Sequence, residues 1–482
     1  MSWDPALEAA FHPGVVAMVG ISSTAKRGVS WGGANFVRSY EQLGFAGHLY
    51  IVNPAASEIL GYKCYPTVST IPEPVDLVIV SVPARAVPAV LEDCIAANAK
   101  NVHVFTAGFE ETGEEEGREL SRRVREIAIR GKLRLIGPNC MGLYVPSAGI
   151  GPFDQLSRKS GPVSFISQSG GHCNWLTHHG PDYGIYFNKV ISFGNAYVLD
   201  STDFLEYLST DPGTRLIGMY LEGVKDGRKL LRQVREINHV KPVIVWKAGL
   251  TPSGARAVTS HTASLAGEAA IWRGFFAQTG AVAVNSLEEV AEAMMTFLCL
   301  KPPKGKRVAV LGLGGGTSVA AADVCAREGL EIPPLLPETQ ADLRKFISLA
   351  GASVRNPLDT ASTLNDVSLL AREMELVAGD PSIDMLVIMP HLDMARNVGT
   401  AQVDKLIDYL SDFAMKNPYG KPTVIVFQSF NNDAGEHELR ARLKVELPNK
   451  GVAVYDSLTA ASRALARFFE YHRIQKELAG HG

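Results

Sequence analysis

Three times along the chain, a strand-length run of apolar residues ends in a glycine-rich turn and gives way to a helical pattern. The runs are Val15 to Gly20, Val163 to Gly171 and Val308 to Gly316. A buried strand that passes through a tight turn into an amphipathic helix is the building block of a parallel sheet covered on both faces. The three openings share a pattern and not a sequence, so they predict three related sheets in tandem and not a short-period repeat array. The length of 482 residues has room for them, because single cores stop growing beyond about 250–300 residues.

In the first unit the predicted strands after Val15–Gly20 are 47–54, 75–83, 101–106 and 134–136, each but the last followed by a helical segment. This predicts a Rossmann-like domain over residues 1–145. The strand ends change character together: Gly20 with Ser22, Ser23 and Lys26, Asn53-Pro54, Ser81-Val82-Pro83, Thr106-Ala107-Gly108-Phe109, and Pro138-Asn139. Ligands of open α/β sheets bind beyond the carboxyl ends of strands, so these five turns are expected to line one crevice for a nucleotide-type ligand. The first turn departs from GxGxxG, since Gly20 is followed by Ile21-Ser22-Ser23, and no acidic residue closes the second strand. Both points count against NAD.

A second α/β unit is expected over 146–300, beginning after the irregular segment 146–161. It opens with the strand 162–167 and the turn Gln168-Ser169-Gly170-Gly171, and continues through strands 187–193, 216–221 and 243–246. The polar, doubly proline-bearing Lys301-Pro302-Pro303-Lys304-Gly305-Lys306 reads as a linker to a third unit over 301–482. The expected fold class is thus α/β, with three tandem Rossmann-like or flavodoxin-like parallel-sheet domains.

Charge balance narrows the function classes. Lys plus Arg number 47 against 50 Asp plus Glu, so nothing suggests a nucleic-acid or anionic-membrane surface. The longest apolar runs are strand-length, too short to span a bilayer. The N-terminus lacks a basic region followed by an apolar core, and a cytoplasmic location is expected by default. The six cysteines show no CxxC pair and no zinc spacing, and no metal site is predicted. Cys140 and Cys173 alone fall in glycine-rich turns where a thiol can face a ligand.

The candidate chemistry lies in Thr259-Ser260-His261-Thr262-Ala263-Ser264-Leu265-Ala266-Gly267. One histidine among small hydroxyl residues is expected just before a helix over 267–279, where unpaired N–H groups favour an anion, including one carried on His261. Glu222, at the end of a predicted strand, is placed to orient an imidazole by accepting its second N–H. Gln168-Ser169-Gly170 offers a second cradle of N–H groups at another helix start. Taken singly, each feature is equally a polar loop residue.

The chain resembles the α subunit, or α portion, of the NDP-forming acyl-CoA synthetases, the ADP-forming acetate–CoA ligase family related to succinyl-CoA synthetase. The resemblance rests on Val19-Gly20-Ile21-Ser22, 50–54, 81–84, 106–113, 137–142, Ser167-Gln168-Ser169-Gly170, Tyr220-Leu221-Glu222-Gly223, Ser260 to Gly267, and Asn356-Pro357-Leu358-Asp359, in family order. It implies coenzyme A bound by Gly20, Ser22, Ser23, Lys26, Asn53, Pro54, Val82, Pro83, Thr106, Ala107 and Asn139. It implies a phosphohistidine at His261 steadied by Glu222, with Gln168, Ser169, Gly170, Ser260 and Thr262 around the phosphate and acyl group. Nothing in the chain resembles an ATP-grasp module, so ATP/ADP and Mg²⁺ are expected on a partner β subunit of a hetero-oligomer that activates a small carboxylic acid.

Departures from the family pattern are Ala263 where glycine is usual, Leu250-Thr251-Pro252-Ser253 after the Lys-Ala-Gly run, and the bulkier Gly171-His172-Cys173-Asn174-Trp175. If that last turn touches the acyl group, the acid differs from acetate. A CoA-binding regulatory protein of the same fold, and an NAD-dependent oxidoreductase, stay open as alternatives.

Overall fold

The computed structural model describes residues 5–22, 32–262, 268–312, 314–360, 366–390, 392, 400–416, 418–427 and 434–480. Its strands form three separate sheets. The first contains β1 (Val15–Val19), β2 (His48–Val52), β3 (Glu58–Ile59), β4 (Tyr62–Tyr65), β5 (Leu77–Val80), β6 (Asn101–Val104) and β7 (Arg134–Ile136), in the order β3-β4-β2-β1-β5-β6-β7. All pairs are parallel except the β3/β4 hairpin. Without β3 this is the 3-2-1-4-5-6 order of a Rossmann sheet, whose strand order reverses between β1 and β5.

Period-2 alternation divides the apolar strands between two cores. Val16, Met18, Leu77 and Ile79 enter one, and Ala17, Val19, Val78 and Val80 enter the other. Near-continuous Val/Ile/Leu runs are what a sheet covered on both faces requires. Asp76 fastens the start of β1, accepting from the Gly14 and Val15 N–H groups at 2.8 and 3.0 Å.

The second sheet comprises β8 (Gly142–Tyr144), β9 (Val163–Ser167), β10 (Phe187–Ser192), β11 (Leu216–Leu221), β12 (Val243–Lys247) and β13 (Val282–Val284), ordered β13-β12-β11-β9-β10-β8. The run β10-β9-β11-β12-β13 has the flavodoxin-like 2-1-3-4-5 order, with its reversal between β9 and β11. β8 is antiparallel to β10, so residues 142–144 contribute their strand to this sheet.

β14 (Val308–Leu311), β15 (Met385–Ile388), β16 (Thr423–Val426) and β17 (Val454–Tyr455) make a third, parallel sheet in chain order. On the free edge of β14 a second strand is reduced to one parallel bridge between Arg307 and Glu331. The 356–358 segment does the remaining pairing, with Leu358 N–H donating to Val310 O at 2.9 Å and the Asn356 side chain bonding the rest. Asn356 Oδ1 accepts from Val310 N at 3.2 Å, and its Nδ2 donates to Val308 O at 2.8 Å and Pro333 O at 2.9 Å.

The chain divides into two compact units, one of residues 1–180 with 186–290, the other of 181–185 with 291–482. The first two sheets therefore share a unit. The break falls inside the helix Leu287–Cys299, ahead of the Lys301–Lys306 segment. The reason is packing: Met295 belongs to the core of the third sheet, Thr296 Oγ1 meets Tyr455 Oη at 2.6 Å, and Phe297 stacks edge-on with Phe468 and Tyr471. No described helix is long and apolar enough to cross a membrane.

Asn356→Ala strips partners from Val308 C=O and Val310 N–H, both on residues without solvent exposure. It is expected to destabilise the C-terminal unit by on the order of 3 kcal/mol. Faster hydrogen exchange confined to β14 and its neighbours, with β1 unchanged, is the readout.

Candidate functional site

The first crevice forms where β1, β2, β5, β6 and β7 end. Gly20 adopts φ +92°, and a Cβ there would stand 2.6 Å from Ser81 O and from Val82 Cγ1. Glycine alone lets the turn after β1 cross so close to the end of β5. Gly20 N–H donates to Val52 O at 3.3 Å, and Ser81 N–H to Val19 O at 2.9 Å. Asn53 stiffens the turn from the other side: Nδ2 donates to Ile21 O at 2.9 Å while Oδ1 accepts from Ala55 N at 2.8 Å. Thr106 Oγ1 donates to Val82 O at 2.6 Å, and Asn139 N–H to Thr106 O at 2.9 Å.

Gly20, Asn53, Val82, Thr106 and Asn139 are thus brought together, and Ser22, Pro54, Pro83 and Ala107 stand exposed on the rim. Ser23 and Lys26 lie outside the described residues. A glycine-built turn beside a polar, half-buried rim at a strand-order reversal suits a ligand that needs close backbone approach, such as a nucleotide phosphate.

This crevice continues into the second sheet through contacts the sequence did not signal. Asn139 Nδ2 donates to Asn195 Oδ1 at 3.3 Å, and Asn195 Nδ2 donates to Glu111 Oε2 at 2.7 Å. Glu111 Oε1 in turn accepts from the Gly108 and Phe109 N–H groups at 2.7 and 3.1 Å. Gly170 lies so close to Met141 that a Cβ would meet its Cγ at 2.6 Å. Asn195 was missed because it sits in a turn beyond β10 with no motif of its own, and only the fold puts it beside Asn139.

At the β9/β11 reversal a second set of residues converges on Glu222, which is 3% exposed. Gln168 Oε1 accepts from Glu222 N–H at 2.6 Å and Gly223 N–H at 2.9 Å. Tyr220 Oη donates to Glu222 Oε1 at 3.1 Å. Lys247 Nζ donates to Glu222 O at 2.8 Å and also to Ala248 O. Burial pushes the Lys247 pKa down to about 8, against the opposing pull of the Glu222 carboxylate. Gln168 is therefore occupied in holding Glu222, and Ser169 caps the helix Gly170–His179, accepting from His172 N at 3.3 Å.

His172 packs its ring against Tyr220 and Trp246, with centroids 4.3 and 4.7 Å apart. Tyr220 is the residue bonded to Glu222, so the bulky turn is built into the wall of this site. Cys140 and Cys173 are core residues instead of ligand-facing thiols: each is under 5% exposed, and burial pushes both thiols up. Among the described residues, no group of three or more His, Cys, Asp or Glu is arranged to hold a metal ion.

The position of His261 differs from the expected one. The segment expected to precede a helix is itself helical, Pro252–Thr262, and the next helix starts only at Ala269. Thr251 Oγ1 accepts from Gly254 N at 3.1 Å, Pro252 occupies the first helical position, and the good helix formers Ala255-Arg256-Ala257 carry the helix on. Ser260, His261 and Thr262 thus lie in a last turn, where the helix dipole opposes an anion. The side chains of residues 259–262 and all of 263–267 lie outside the described residues.

Residues 15–146 match the family described as CoA binding domain, and residues 160–297 match the succinyl-CoA ligase like flavodoxin domain. The class defined is that of CoA ligases built on these two domains. The chain is 37% identical over 378 residues to the α subunit of ADP-forming acetate–CoA ligase II of Pyrococcus furiosus, covering 78% of this chain and 80% of that one. It is 35% identical over 474 residues to ADP-forming acetate–CoA ligase I of Archaeoglobus fulgidus, covering 97% of this chain but 64% of that longer protein. The fold matches acetyl-coenzyme A synthetase 1 of Candidatus Korarchaeum cryptofilum, solved in complex with phosphate and ADP, with TM-score 0.82, 30% identity and 98% of each chain covered. The chain belongs to the family of ADP-forming acetate–CoA ligases.

Lys247 carries a pH signature. Its amine turns neutral in the folded chain from about pH 8, but in the unfolded chain it stays protonated up to its ordinary value of 10.5. Between these limits the unfolded state binds more protons, so this group makes stability rise with pH. Denaturant unfolding of the wild type and of Lys247→Met at pH 7.5 and 10 is expected to show a smaller rise, or a larger fall, in the variant.

Proposed function

We propose that this chain is the CoA- and acyl-handling α portion of an NDP-forming acid–CoA ligase, catalysing carboxylate + CoA + ATP ⇌ acyl-CoA + ADP + phosphate. The observation that carries the proposal is Glu222 fixed by Gln168 and Lys247 at the β9/β11 reversal, on the sheet whose Asn195 reaches the Asn139 turn of the first crevice. The family's α-subunit and longer single-chain members support it.

In this reading coenzyme A lies across the carboxyl ends of the first sheet. Gly20 admits its phosphates to the backbone, and Ser22, Ser23, Lys26, Asn53, Pro54, Val82, Pro83, Thr106, Ala107 and Asn139 surround it. Ser169 and the N–H groups that open the helix Gly170–His179 seat the phosphate and acyl group, with Ser260 and Thr262 nearby. The Glu222 carboxylate accepts one imidazole N–H of His261, leaving the other nitrogen as a neutral nucleophile.

That nitrogen takes the terminal phosphoryl group of ATP, and the P–O bond to ADP breaks. The phosphoryl group passes next to an oxygen of the carboxylic acid as the P–N bond breaks, giving an acyl phosphate. The CoA thiol, giving up its proton, then attacks the acyl carbon and expels phosphate. Oriented N–H groups stabilise the oxygens on which charge develops. The ATP site and Mg²⁺ belong to an ATP-grasp β subunit in a hetero-oligomer. His261 must travel to meet it, and a seat in the last turn of a helix, where the dipole opposes an anion, suits a residue that leaves its place once it carries one. A cytoplasmic location fits all three substrates.

Incubation with [γ-³²P]ATP, Mg²⁺ and the ATP-grasp partner is expected to put acid-labile, base-stable label on His261. His261→Ala should take none and lose turnover by on the order of 10⁴-fold. Label that persists in His261→Ala rules out this mechanism. In a thermal-shift assay CoA at 100 times its dissociation constant should stabilise the N-terminal unit by about 2.7 kcal/mol, and NAD at the same concentration should leave it unmoved.

A further inference from the structure

Lys247 is 4% exposed, yet among the described residues no carboxylate lies within ion-pair distance of its ammonium. It is held by two main-chain carbonyls, Glu222 O and Ala248 O, with the Trp272 ring 5.3 Å from Nζ. Burying an ammonium without a direct ion pair is costly even with the Glu222 carboxylate acting on it from a distance, and an apolar side chain of similar length would fill the same space at less cost. The position of its partners gives the arrangement a purpose.

β11 is flanked by β9 on one side and β12 on the other, with Leu221 in register with Lys247 and Tyr220 with Ser167. Glu222 is the first residue past β11, and its main chain is gripped from both neighbours. Gln168, just past β9, takes the N–H groups of Glu222 and Gly223. Lys247, the last residue of β12, takes the Glu222 carbonyl. Tyr220 takes one carboxylate oxygen. Beyond the end of a strand the ladder no longer fixes the backbone, and here side chains from both neighbouring strands extend that control by one residue.

We propose that Lys247 is a positioning residue for Glu222, acting with Gln168 to lock the main chain at residue 222 so that the carboxylate meets the His261 imidazole at a fixed angle. The proposal rests on the phosphohistidine reading above. Lys247 touches neither substrate nor phosphoryl group, and its whole effect on the chemistry passes through Glu222. A residue that merely stabilised the turn would lower the rate by the same factor whether or not Glu222 were intact.

A double-mutant cycle separates the two roles. The full chain with its ATP-grasp partner is charged with [γ-³²P]ATP and Mg²⁺. It is then mixed with CoA and an equimolar mixture of acetate, propionate, isobutyrate and phenylacetate, and loss of label from His261 is timed. Lys247→Met in the wild-type background is expected to slow discharge by about 10–100-fold, the range for residues that orient another ligand-handling group, with the CoA concentration for half-maximal rate unchanged. In a Glu222→Gln background the same substitution should slow discharge by less than about 2-fold. Where Lys247→Met does not fold by thermal unfolding, Lys247→Gln takes its place in the cycle.

Equal factors in the two backgrounds, or no slowing in either, overturn the positioning role while leaving the phosphohistidine reading intact. A wild-type chain that takes no label on His261 overturns that reading and this inference with it.

Discussion

Parallel pairing is the constraint on which the rest of the molecule depends. Strands that run the same way deliver all their carboxyl ends to one edge, and the polar turns that follow must gather there. In the first sheet this brings Gly20, Asn53, Val82, Thr106 and Asn139 around one crevice. In the second it places Gln168, Glu222 and Lys247, far apart in the chain, at the ends of three adjacent strands. Both sheets reverse their strand order at the point where these residues meet, because only there do the connecting helices diverge and leave a gap.

The polar groups at these edges differ in how they are satisfied, and the difference bears on function. Around the first crevice the side chains bond to turn backbone and remain half-buried, a rigid rim with room above it. Around Glu222 nearly everything is buried, its main chain bonded to the Gln168 amide and the Lys247 ammonium and its carboxylate to the Tyr220 hydroxyl. A buried polar set of this kind holds its members in one arrangement, since any displacement leaves a group without a partner in a medium of low dielectric. Preorganisation of that sort suits the role proposed for Glu222, orienting an imidazole.

Much of this was legible in the residues. Val15–Val19, Val163–Ser167 and Val308–Leu311 form the strands their apolar runs predict, because a short, mostly apolar run closed by a glycine-rich turn suits a central strand buried on both faces. The α/β class and the family followed from such runs and from motifs such as Gly137-Pro138-Asn139 and Tyr220-Leu221-Glu222-Gly223. The stretch around His261 misled for a local reason. Ser260 and Thr262 have the composition of a helix start, but Thr251 and Pro252 had already started one upstream, and a helix once nucleated runs on through residues of middling propensity.

By itself the sequence determined which segments are strands, where the chain turns, and which residues are candidates for the chemistry, since periodicity, glycine and side-chain type are local properties. Tertiary structure decided who faces whom. It joined Asn139 to Asn195, turned Gln168 from a ligand-facing amide into a clamp on Glu222, moved Cys140 and Cys173 into the core, and buried Lys247 beneath the residue it holds. Those outcomes depend on strand order and register, which bring together residues far apart in the chain and leave no trace in the neighbours of either partner.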